Sequence, residues 1–364
     1  MGLIAPHRRW WIALAFAALS LPMLVQVVTP RQTVSAREAR TLAPAPQWPQ
    51  SAAEWRALPK TLEVFLTDHF GLREPLVRTN AVLRYAIESP TNTLVVFGRH
   101  RFLFFTGDGM LLQSAGLLQR TSDIEKLADF AAALSAKYQA LGIPFLVTFP
   151  PNSATITRDL DPPWFKPKPT TEYDKMMRAL ARRGVPAVDL RPALTAAAAE
   201  NIVYRRADTH WNKLGALIGF NEAMTALGKP DWRIDVPRVF HGMEEVPGGD
   251  LARMLGAPDD IADLDARIDL FPYRPVKMTE RKLDTGRATG GNIAEFDHAG
   301  PRVVILGDSF TEHAWHEYLG LHASRVTWIH HELCDFTPAV VAAQQPDIVI
   351  LAMTERLMFC WNLK

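Results

Sequence analysis

Residues 302–310 read RVVILGDSF. This continuous run of β-branched and apolar residues predicts a strand that is buried on both faces of a parallel sheet. Ligands bind outside the carboxyl ends of such strands, which is where Ser309 falls. Gly307 permits a tight turn that presents the Ser309 hydroxyl at the start of a helix, where backbone N–H groups can stabilise an oxyanion. In the alternative interpretation, Asp308 or Ser309 only caps that helix.

Further apolar runs on either side of this stretch alternate with amphipathic segments. We predict strands at residues 144–149, 185–190, 326–330 and 347–353, and helices at 123–142, 171–183 and 212–227. Continuous apolar strands that alternate with helices indicate an α/β fold, with a parallel sheet covered by helices on both faces. Residues 230–300 are polar, rich in Gly and Pro and weakly periodic. We interpret them as an insertion that covers the active site.

A second polar motif lies directly before the helix predicted at 212–227. It contains Asp208 and His210. A serine hydroxyl becomes a nucleophile beside a base, and the base needs a partner that fixes its tautomer. An Asp-x-His pair on its own is more often a capping loop with a surface histidine, but here both motifs fall at the same predicted edge of the sheet. We therefore predict a catalytic triad of Ser309, His210 and Asp208.

Together the two motifs resemble the SGNH hydrolase superfamily, with one difference in order. An ordinary member begins with Gly-Asp-Ser and ends with the Asp/His loop, whereas here the Asp/His half comes first, as in a circular permutation. That order resembles the alginate O-acetyltransferases of the AlgJ and AlgX type. Segments that agree with this family, in family order, are residues 68–73, 150–152, 188–191, 208–216 and 249–251.

The resemblance implies a role for each triad residue. Ser309 would accept an acetyl group, His210 would act first as base and then as acid, and Asp208 would orient the imidazole. The Ser309 backbone N–H would be one oxyanion donor. The asparagine that SGNH proteins place after the last strand is missing, because residues 354–356 read TER. The second oxyanion donor is therefore open.

Four other residues are candidates for the second donor or for substrate contact: Asn152, Arg356, Trp211 and Arg206. Each has a structural alternative. Asn152 could close a turn, and Arg356 could form a surface ion pair. Trp211 could pack in the core instead of stacking on a sugar, and Arg206 could form a solvated basic pair with Arg205 instead of binding an anionic sugar.

No metal ion or cofactor is predicted. Residues 330–332 read HHE, which are residue types that bind metals. Adjacent histidines at the end of a strand should point to opposite faces, however, and would form a poor chelate.

The N-terminus predicts attachment to a membrane. Residues 10–28 form an apolar run that would be roughly 28 Å long as a helix, enough to cross a hydrocarbon core. Arg8 and Arg9 precede the run and favour a cytoplasmic N-terminus with an exported body. We predict a membrane anchor with one transmembrane helix at 1–30, a Pro-rich linker at 31–60 and the SGNH-like domain at 61–364. A signal peptide cleaved after residues 34–36 is the alternative.

Composition narrows the class of partner. The 364 residues carry 40 basic and 39 acidic side chains, for a net charge of +1, which argues against nucleic-acid binding. The two cysteines, Cys334 and Cys360, could form a disulfide in an oxidising compartment or remain separate buried thiols.

These features lead to one main prediction of function. We expect a single-pass protein of the inner membrane whose periplasmic domain O-acetylates an exported, alginate-like polysaccharide. The family further implies a multi-span membrane acyltransferase as the acetyl supplier. The alternatives are an exported carbohydrate esterase with the same triad and a non-catalytic subunit that binds the polymer.

Overall fold

The structure is a computed structural model that describes residues 8–28, 32–35, 40–89, 93–273, 277–312 and 314–361. The helices are α1 (Arg8–Val28), α2 (Ala52–Asp68), α3 (Arg73–Ala86), α4 (Met110–Ser114), α5 (Thr121–Ala140), α6 (Ser153–Ile156), α7 (Glu172–Arg182), α8 (Arg191–Ala198), α9 (Lys213–Ala226), α10 (Val236–Val239), α11 (Asp250–Leu255), α12 (Ala314–Leu319) and α13 (Pro338–Ala343). The strands are β1 (Val34–Ser35), β2 (Arg40–Thr41), β3 (Val95–Phe97), β4 (Leu103–Phe105), β5 (Phe145–Thr148), β6 (Ala187–Val188), β7 (Phe240–Pro247), β8 (Ala262–Ile268), β9 (Met278–Leu283), β10 (Gly291–Phe296), β11 (Arg302–Gly307), β12 (Arg325–His330) and β13 (Ile348–Ala352). The chain divides into two compact units, residues 1–92 with 252–261 and residues 93–251 with 262–364.

A seven-stranded sheet organises the second unit, in the order β6-β5-β13-β11-β12-β10-β9. The first five of these strands run parallel to one another. They are the five apolar runs that the sequence predicts as strands, so the predicted α/β class is confirmed. Because β11 lies between β13 and β12, its carboxyl end is at the centre of the parallel part of the sheet.

Helices cover both faces of this sheet. Val303 and Ile305 of β11 point into one buried cluster, together with residues of α8, α9 and α12. Val304 and Leu306 point to the opposite face, into a cluster that includes residues of α5, α7 and α13. Successive side chains of a strand face opposite sides, so a strand buried on both sides needs an unbroken apolar run. This is the pattern of residues 302–306.

Part of the predicted insertion at 230–300 belongs to the sheet. Strands β9 and β10 pair with each other and β10 pairs with β12, all antiparallel, so they extend one edge of the sheet. Strands β7 and β8 form a separate antiparallel pair. The sequence prediction missed all four of these strands, β7–β10. In β9 the residues are polar and mostly exposed, as is common in an edge strand.

The first unit contains the N-terminal helices. Helix α2 begins at Ala52, inside the segment predicted as a linker, and the Ser51 hydroxyl caps it by accepting the Glu54 N–H. Helix α1 forms in the segment predicted to cross the membrane, with Ser20, Pro22 and Gln26 within its apolar run. In the part of the chain that the structure describes, no helix is both long and apolar enough to span a membrane, so the predicted transmembrane helix is not confirmed.

Cys334 and Cys360 form a disulfide, which resolves the question that the sequence left open. Cys334 lies after β12 and Cys360 lies after β13. The bridge therefore joins two loops that follow the strands on either side of β11.

We expect the double variant Cys334→Ser/Cys360→Ser to lower the free energy of unfolding by about 3 kcal/mol, because the bridge restricts the unfolded chain across a separation of 26 residues. Urea denaturation followed by tryptophan fluorescence measures this change. The wild-type protein in excess dithiothreitol serves as the matched control and should lose a similar amount. An unchanged midpoint in both samples would contradict the prediction.

Candidate active site

Ser309 lies in the turn that follows β11, and its side chain is exposed. The preceding residue shapes this turn: the Asp308 carboxylate accepts the Phe310 N–H at 3.1 Å, and its carbonyl accepts the Thr311 N–H at 3.0 Å. A Cβ at Gly307 would collide with the Thr311 hydroxyl, so only glycine allows the turn to be this tight. The result is a hydroxyl presented beyond the carboxyl end of a central strand.

His210 reaches this hydroxyl from the loop before α9. Its Nε2 lies 2.7 Å from Ser309 Oγ, and its Nδ1 lies 2.6 Å from Asp208 Oδ1. The three side chains therefore form a line of hydrogen bonds from carboxylate to imidazole to hydroxyl. This is the arrangement in which a histidine can remove a proton from a serine. The predicted contact is present, and the catalytic role of the three residues stays a prediction.

The Asp208 carboxylate is held by several donors. Oδ1 also accepts the His210 backbone N–H at 3.0 Å, and Oδ2 accepts from the Arg205 guanidinium at 3.1 Å. Burial raises the pKa of Asp208, but the hydrogen bond and charge of His210 and the charge of Arg205 outweigh it and hold the pKa below its ordinary range. Gly249 leaves room for this carboxylate, because a Cβ there would collide with it. Asp208 is therefore fixed and ionised.

Asp250 supports the same loop from the side. Its two carboxylate oxygens accept the Thr209 backbone N–H at 2.8 Å and the Thr209 hydroxyl at 2.6 Å. Burial and the charge of Asp208 raise the pKa of Asp250. Ligand atoms of Asp208, His210 and Asp250 lie within 4.8 Å of one another, which is close enough to hold a metal ion. Both carboxylates already accept hydrogen bonds from the protein, so the group fits a braced triad better than a metal site.

A second carboxylate–imidazole pair lies under the nucleophile turn, and the sequence did not reveal it. The buried Asp308 accepts the Thr354 N–H at 2.7 Å and lies 3.4 Å from Nε2 of the buried His331. Burial raises the pKa of Asp308, but His331 and the Thr354 N–H outweigh it and hold the pKa below its ordinary range. The rings of His330 and His331 are stacked at 4.7 Å, so the expectation that they point to opposite faces was wrong. The reason is that β12 ends at His330 and His331 already belongs to the turn.

Two of the four additional candidates flank Phe310, the residue after the nucleophile. The Trp211 indole N–H donates to the Phe310 carbonyl at 2.9 Å, and its ring packs against Phe310 and Trp315. Trp211 is only 5% exposed, so it is mainly a core residue. The Arg356 guanidinium lies over the Phe310 ring, 5.3 Å from its centre. Arg356 is therefore close to the nucleophile turn.

The other two candidates are engaged elsewhere. The Asn152 side-chain amide is buried and donates to Gln113 Oε1 at 3.0 Å and to Ser114 Oγ at 3.2 Å, so both of its hydrogens meet protein acceptors. The Arg206 guanidinium donates to the His100 carbonyl, in the turn between β3 and β4. Its neighbour Arg205 is the arginine that lines the cleft beside Ser309. These placements favour structural roles for Asn152 and Arg206.

The family model for the SGNH hydrolase-like domain of acetyltransferase AlgX matches residues 95–323, a range that contains Asp208, His210 and Ser309. Comparison with curated proteins finds no match.

Among solved structures, the chain is similar to PatB1 of Bacillus cereus with a sulfonyl adduct, at 11% identity and a TM-score of 0.52, covering 73% of this chain and 97% of that one. It is also similar to the O-acetyltransferase domain of Pseudomonas putida AlgJ, at 17% identity and a TM-score of 0.46, covering 72% and 91%. A third similar structure is Pseudomonas aeruginosa AlgX, at 14% identity and a TM-score of 0.44, covering 71% and 62%. At these identities, the likeness to PatB1 supports the fold alone.

Proposed function

This chain belongs to the family of SGNH hydrolase-like acetyltransferase domains of the AlgX type, and on that basis we propose that it is an O-acetyltransferase acting on hydroxyls of an exported polysaccharide. The observation that carries the proposal is the hydrogen-bonded line from Asp208 through His210 to Ser309, with distances of 2.6 and 2.7 Å. The alginate-like polymer implied by the family resemblance is the first acceptor to compare.

The first half of the reaction loads the enzyme. His210 Nε2 takes the proton of the Ser309 hydroxyl while Oγ attacks the carbonyl carbon of the donor's acetyl group. The imidazolium is stabilised by the Asp208 carboxylate on Nδ1 and returns its proton to the leaving group of the donor. The products are an acetyl-serine at 309 and the free leaving group.

The second half delivers the acetyl group. A sugar hydroxyl gives its proton to His210 Nε2 and its oxygen attacks the carbonyl of the acetyl-serine. The imidazolium then returns the proton to Ser309 Oγ as the ester bond to the enzyme breaks. The sugar leaves as its acetate ester and the hydroxyl of Ser309 is restored.

Each half passes through a tetrahedral oxyanion that needs donors. The Ser309 backbone N–H, at the start of the turn, is the first donor in this proposal. Arg356 is the better of the remaining candidates, because its guanidinium lies over the ring of Phe310 while both side-chain N–H groups of Asn152 are bound to Gln113 and Ser114. Arg356 would act through its positive charge.

The proposal puts the catalytic domain in the periplasm, held at the inner membrane through residues 1–30, with a multi-span membrane acyltransferase as the acetyl supplier. Two observations support export. Arg8 and Arg9 precede the apolar run at the N-terminus, and the Cys334–Cys360 disulfide suits an oxidising compartment. The acetyl group would have to cross the membrane, because the polymer is modified outside the cytoplasm.

A carbohydrate esterase is the second candidate, and one observation favours it. Ser309 is exposed in an open cleft, so water can reach an acetyl-serine there. Hydrolysis and transfer share every step up to the acetyl-enzyme and differ only in whether water or sugar attacks it.

We expect the acetyl-serine to react with a sugar hydroxyl more often than with water. The full chain is incubated with a chromogenic acetyl ester, with and without an oligosaccharide, and both free acetate and acetylated sugar are measured. Transfer predicts that the oligosaccharide diverts most of the acetyl group from acetate to sugar. If all of the acetyl group still appears as acetate at saturating oligosaccharide, the esterase replaces the transferase.

A further inference from the structure

The cleft beside Ser309 has a volume of about 380 Å³, within the range of sites that bind small ligands. Its apolar lining includes Phe310, Ile268 and Tyr318, of which Phe310 and Tyr318 are almost fully buried, and the Tyr318 hydroxyl donates to the Lys213 carbonyl at 3.0 Å. Ser309 and His210 line the same cleft, so a sugar hydroxyl bound there would lie next to the proposed catalytic residues. The cleft is therefore a candidate acceptor site, and its charges bear on which sugars it accepts.

One cation of the cleft, Arg205, is already matched by carboxylates. Its guanidinium lies 3.1 Å from Asp208 and 3.3 Å from Asp263, and it also donates to the Pro247 carbonyl at 2.7 Å. Its charge is thus balanced by the protein, and Nη1 and Nη2 both donate to protein oxygens. Arg206, which the sequence suggested as a group to bind an anionic sugar, donates to the His100 carbonyl instead.

The remaining charges of the cleft are predominantly negative. Among the described side chains that line it, Lys213 is the other cation, while Asp265 and Glu317 add two carboxylates. The Asp265 carboxylate is held in place because its Oδ1 accepts the backbone N–H groups of Lys213 at 2.9 Å and Ala266 at 2.7 Å. Glu317 is exposed on α12. Among the side chains that line the cleft, a carboxylate-bearing sugar would therefore meet two carboxylates and one unmatched cation. Arg356 is a further cation near Ser309, outside this lining, and in the proposed mechanism its charge is taken up by the oxyanion.

We propose that the acceptor is a neutral polysaccharide rather than a polyuronate, and that Asp265 and Glu317 set this preference. The inference rests on the proposed transferase function, and it replaces the alginate-like acceptor implied by the family resemblance with a neutral one. Carboxylates accept strong hydrogen bonds from the ring hydroxyls that neutral sugars and uronates share. The same carboxylates repel the charge on each unit of a polyuronate, and this repulsion favours the neutral sugar.

The test uses the full chain, a chromogenic acetyl donor and two matched pairs of hexasaccharides. One pair is β-1,4-linked mannose and mannuronate, and the other is β-1,4-linked glucose and glucuronate. The members of each pair share the same ring hydroxyls at positions 2 and 3 and differ at C6, which is a hydroxymethyl group in the neutral sugar and a carboxylate in the uronate. Acetyl esters at these two positions are counted by mass spectrometry and NMR. We expect transfer to the better neutral sugar to exceed transfer to its uronate partner by roughly tenfold at low salt. The difference should shrink as the salt rises to about 0.3 M, because salt screens the repulsion.

The variant Glu317→Lys should raise transfer to the uronates by roughly tenfold, since it replaces a repulsive charge by an attractive one. Glu200→Lys is the matched control, because it makes the same charge change at an exposed residue after α8 and should leave the ratio as in wild type. Equal or better transfer to the uronates by wild type would overturn the inference, and so would a ratio that Glu317→Lys leaves unchanged. Acetate release without transfer to any hydroxyl of the four sugars, the 6-hydroxyl included, would instead overturn the transferase itself and the inference with it.

Discussion

Replacing Ser309 by alanine is expected to lower acetyl transfer by about 10⁴-fold or more, because the variant lacks the oxygen that would carry the acetyl group. The imidazole of His210 would keep its carboxylate partner but would have no hydroxyl 2.7 Å away to deprotonate. Removing a nucleophile of this kind leaves only binding and oxyanion stabilisation to accelerate the reaction. The measurement is acetyl transfer from a chromogenic donor to an oligosaccharide, with thermal denaturation to show that the fold is kept.

Ser324→Ala is the matched control for this variant. The Ser324 hydroxyl donates to the Gly300 carbonyl at 2.7 Å, and the residue lies just before β12, at the opposite end of the strand from the site. This variant should keep transfer within about twofold of wild type, as surface substitutions usually do. A Ser309→Ala protein that folds and retains more than a tenth of wild-type transfer would rule out Ser309 as the nucleophile.

Replacing Asp208 by asparagine should cost about 10³- to 10⁴-fold in transfer. Both carboxylate oxygens accept hydrogen bonds, one from His210 and the other from Arg205. An asparagine must turn its NH₂ group toward one of these donors. If it faces His210, the imidazole carries its proton on Nε2 and cannot accept the Ser309 proton. If it faces Arg205, an unmatched donor pair is left in a largely buried site.

The matched control for this second prediction is Asp250→Asn. Asp250 binds Thr209 rather than the imidazole, so its loss should loosen the loop and cost only about tenfold. If Asp250→Asn were as damaging as Asp208→Asn, the loop geometry would matter more than the bond between carboxylate and imidazole.

The pKa of Asp208 is held below its ordinary range, so Asp208 keeps its charge at mildly acidic pH and should not itself cause a loss of wild-type activity there.

The parallel part of the sheet was predictable because burial on both faces demands unbroken apolar runs, and residues 302–306 show that pattern. The antiparallel edge was not predictable in the same way. Strand β9 reads MTERKL and is mostly exposed, so backbone pairing with β10 rather than an apolar pattern determines it. The interpretation of residues 230–300 as a covering insertion is therefore incomplete. Within this range, the interpretation as a segment next to the active site applies best to β8, because β8 supplies Asp265 and Ile268 to the cleft.

For the site, local motifs predicted which residues meet but not which neighbours face them. Asp208, His210 and Ser309 were found because they occur in two short motifs next to predicted elements. Which of Arg205 and Arg206 lines the cleft beside Ser309 depends on groups from distant parts of the chain. Asp263 and the Pro247 carbonyl bind Arg205, while the His100 carbonyl binds Arg206. Contacts of this kind come from remote parts of the chain and leave no local pattern.

Asp308 and His331 show the same limit. Asp308 belongs to the Gly-Asp-Ser motif and was assigned only a capping role, yet its carboxylate also binds the Thr354 N–H and faces His331. These partners come from the loops after β13 and β12, which the Cys334–Cys360 disulfide joins. The nucleophile turn is therefore braced by two loops that are far apart in the sequence.

The most direct test of the account is to trap the acetyl-enzyme. The full chain is mixed with an acetyl ester in the absence of sugar, quenched in acid within seconds and analysed by peptide mass spectrometry. The account predicts one added acetyl group on Ser309, which disappears when an oligosaccharide is added before the quench and which is not formed in His210→Ala. An acetyl group on another residue, or transfer that proceeds at the wild-type rate with Ser309 never acetylated, would contradict it.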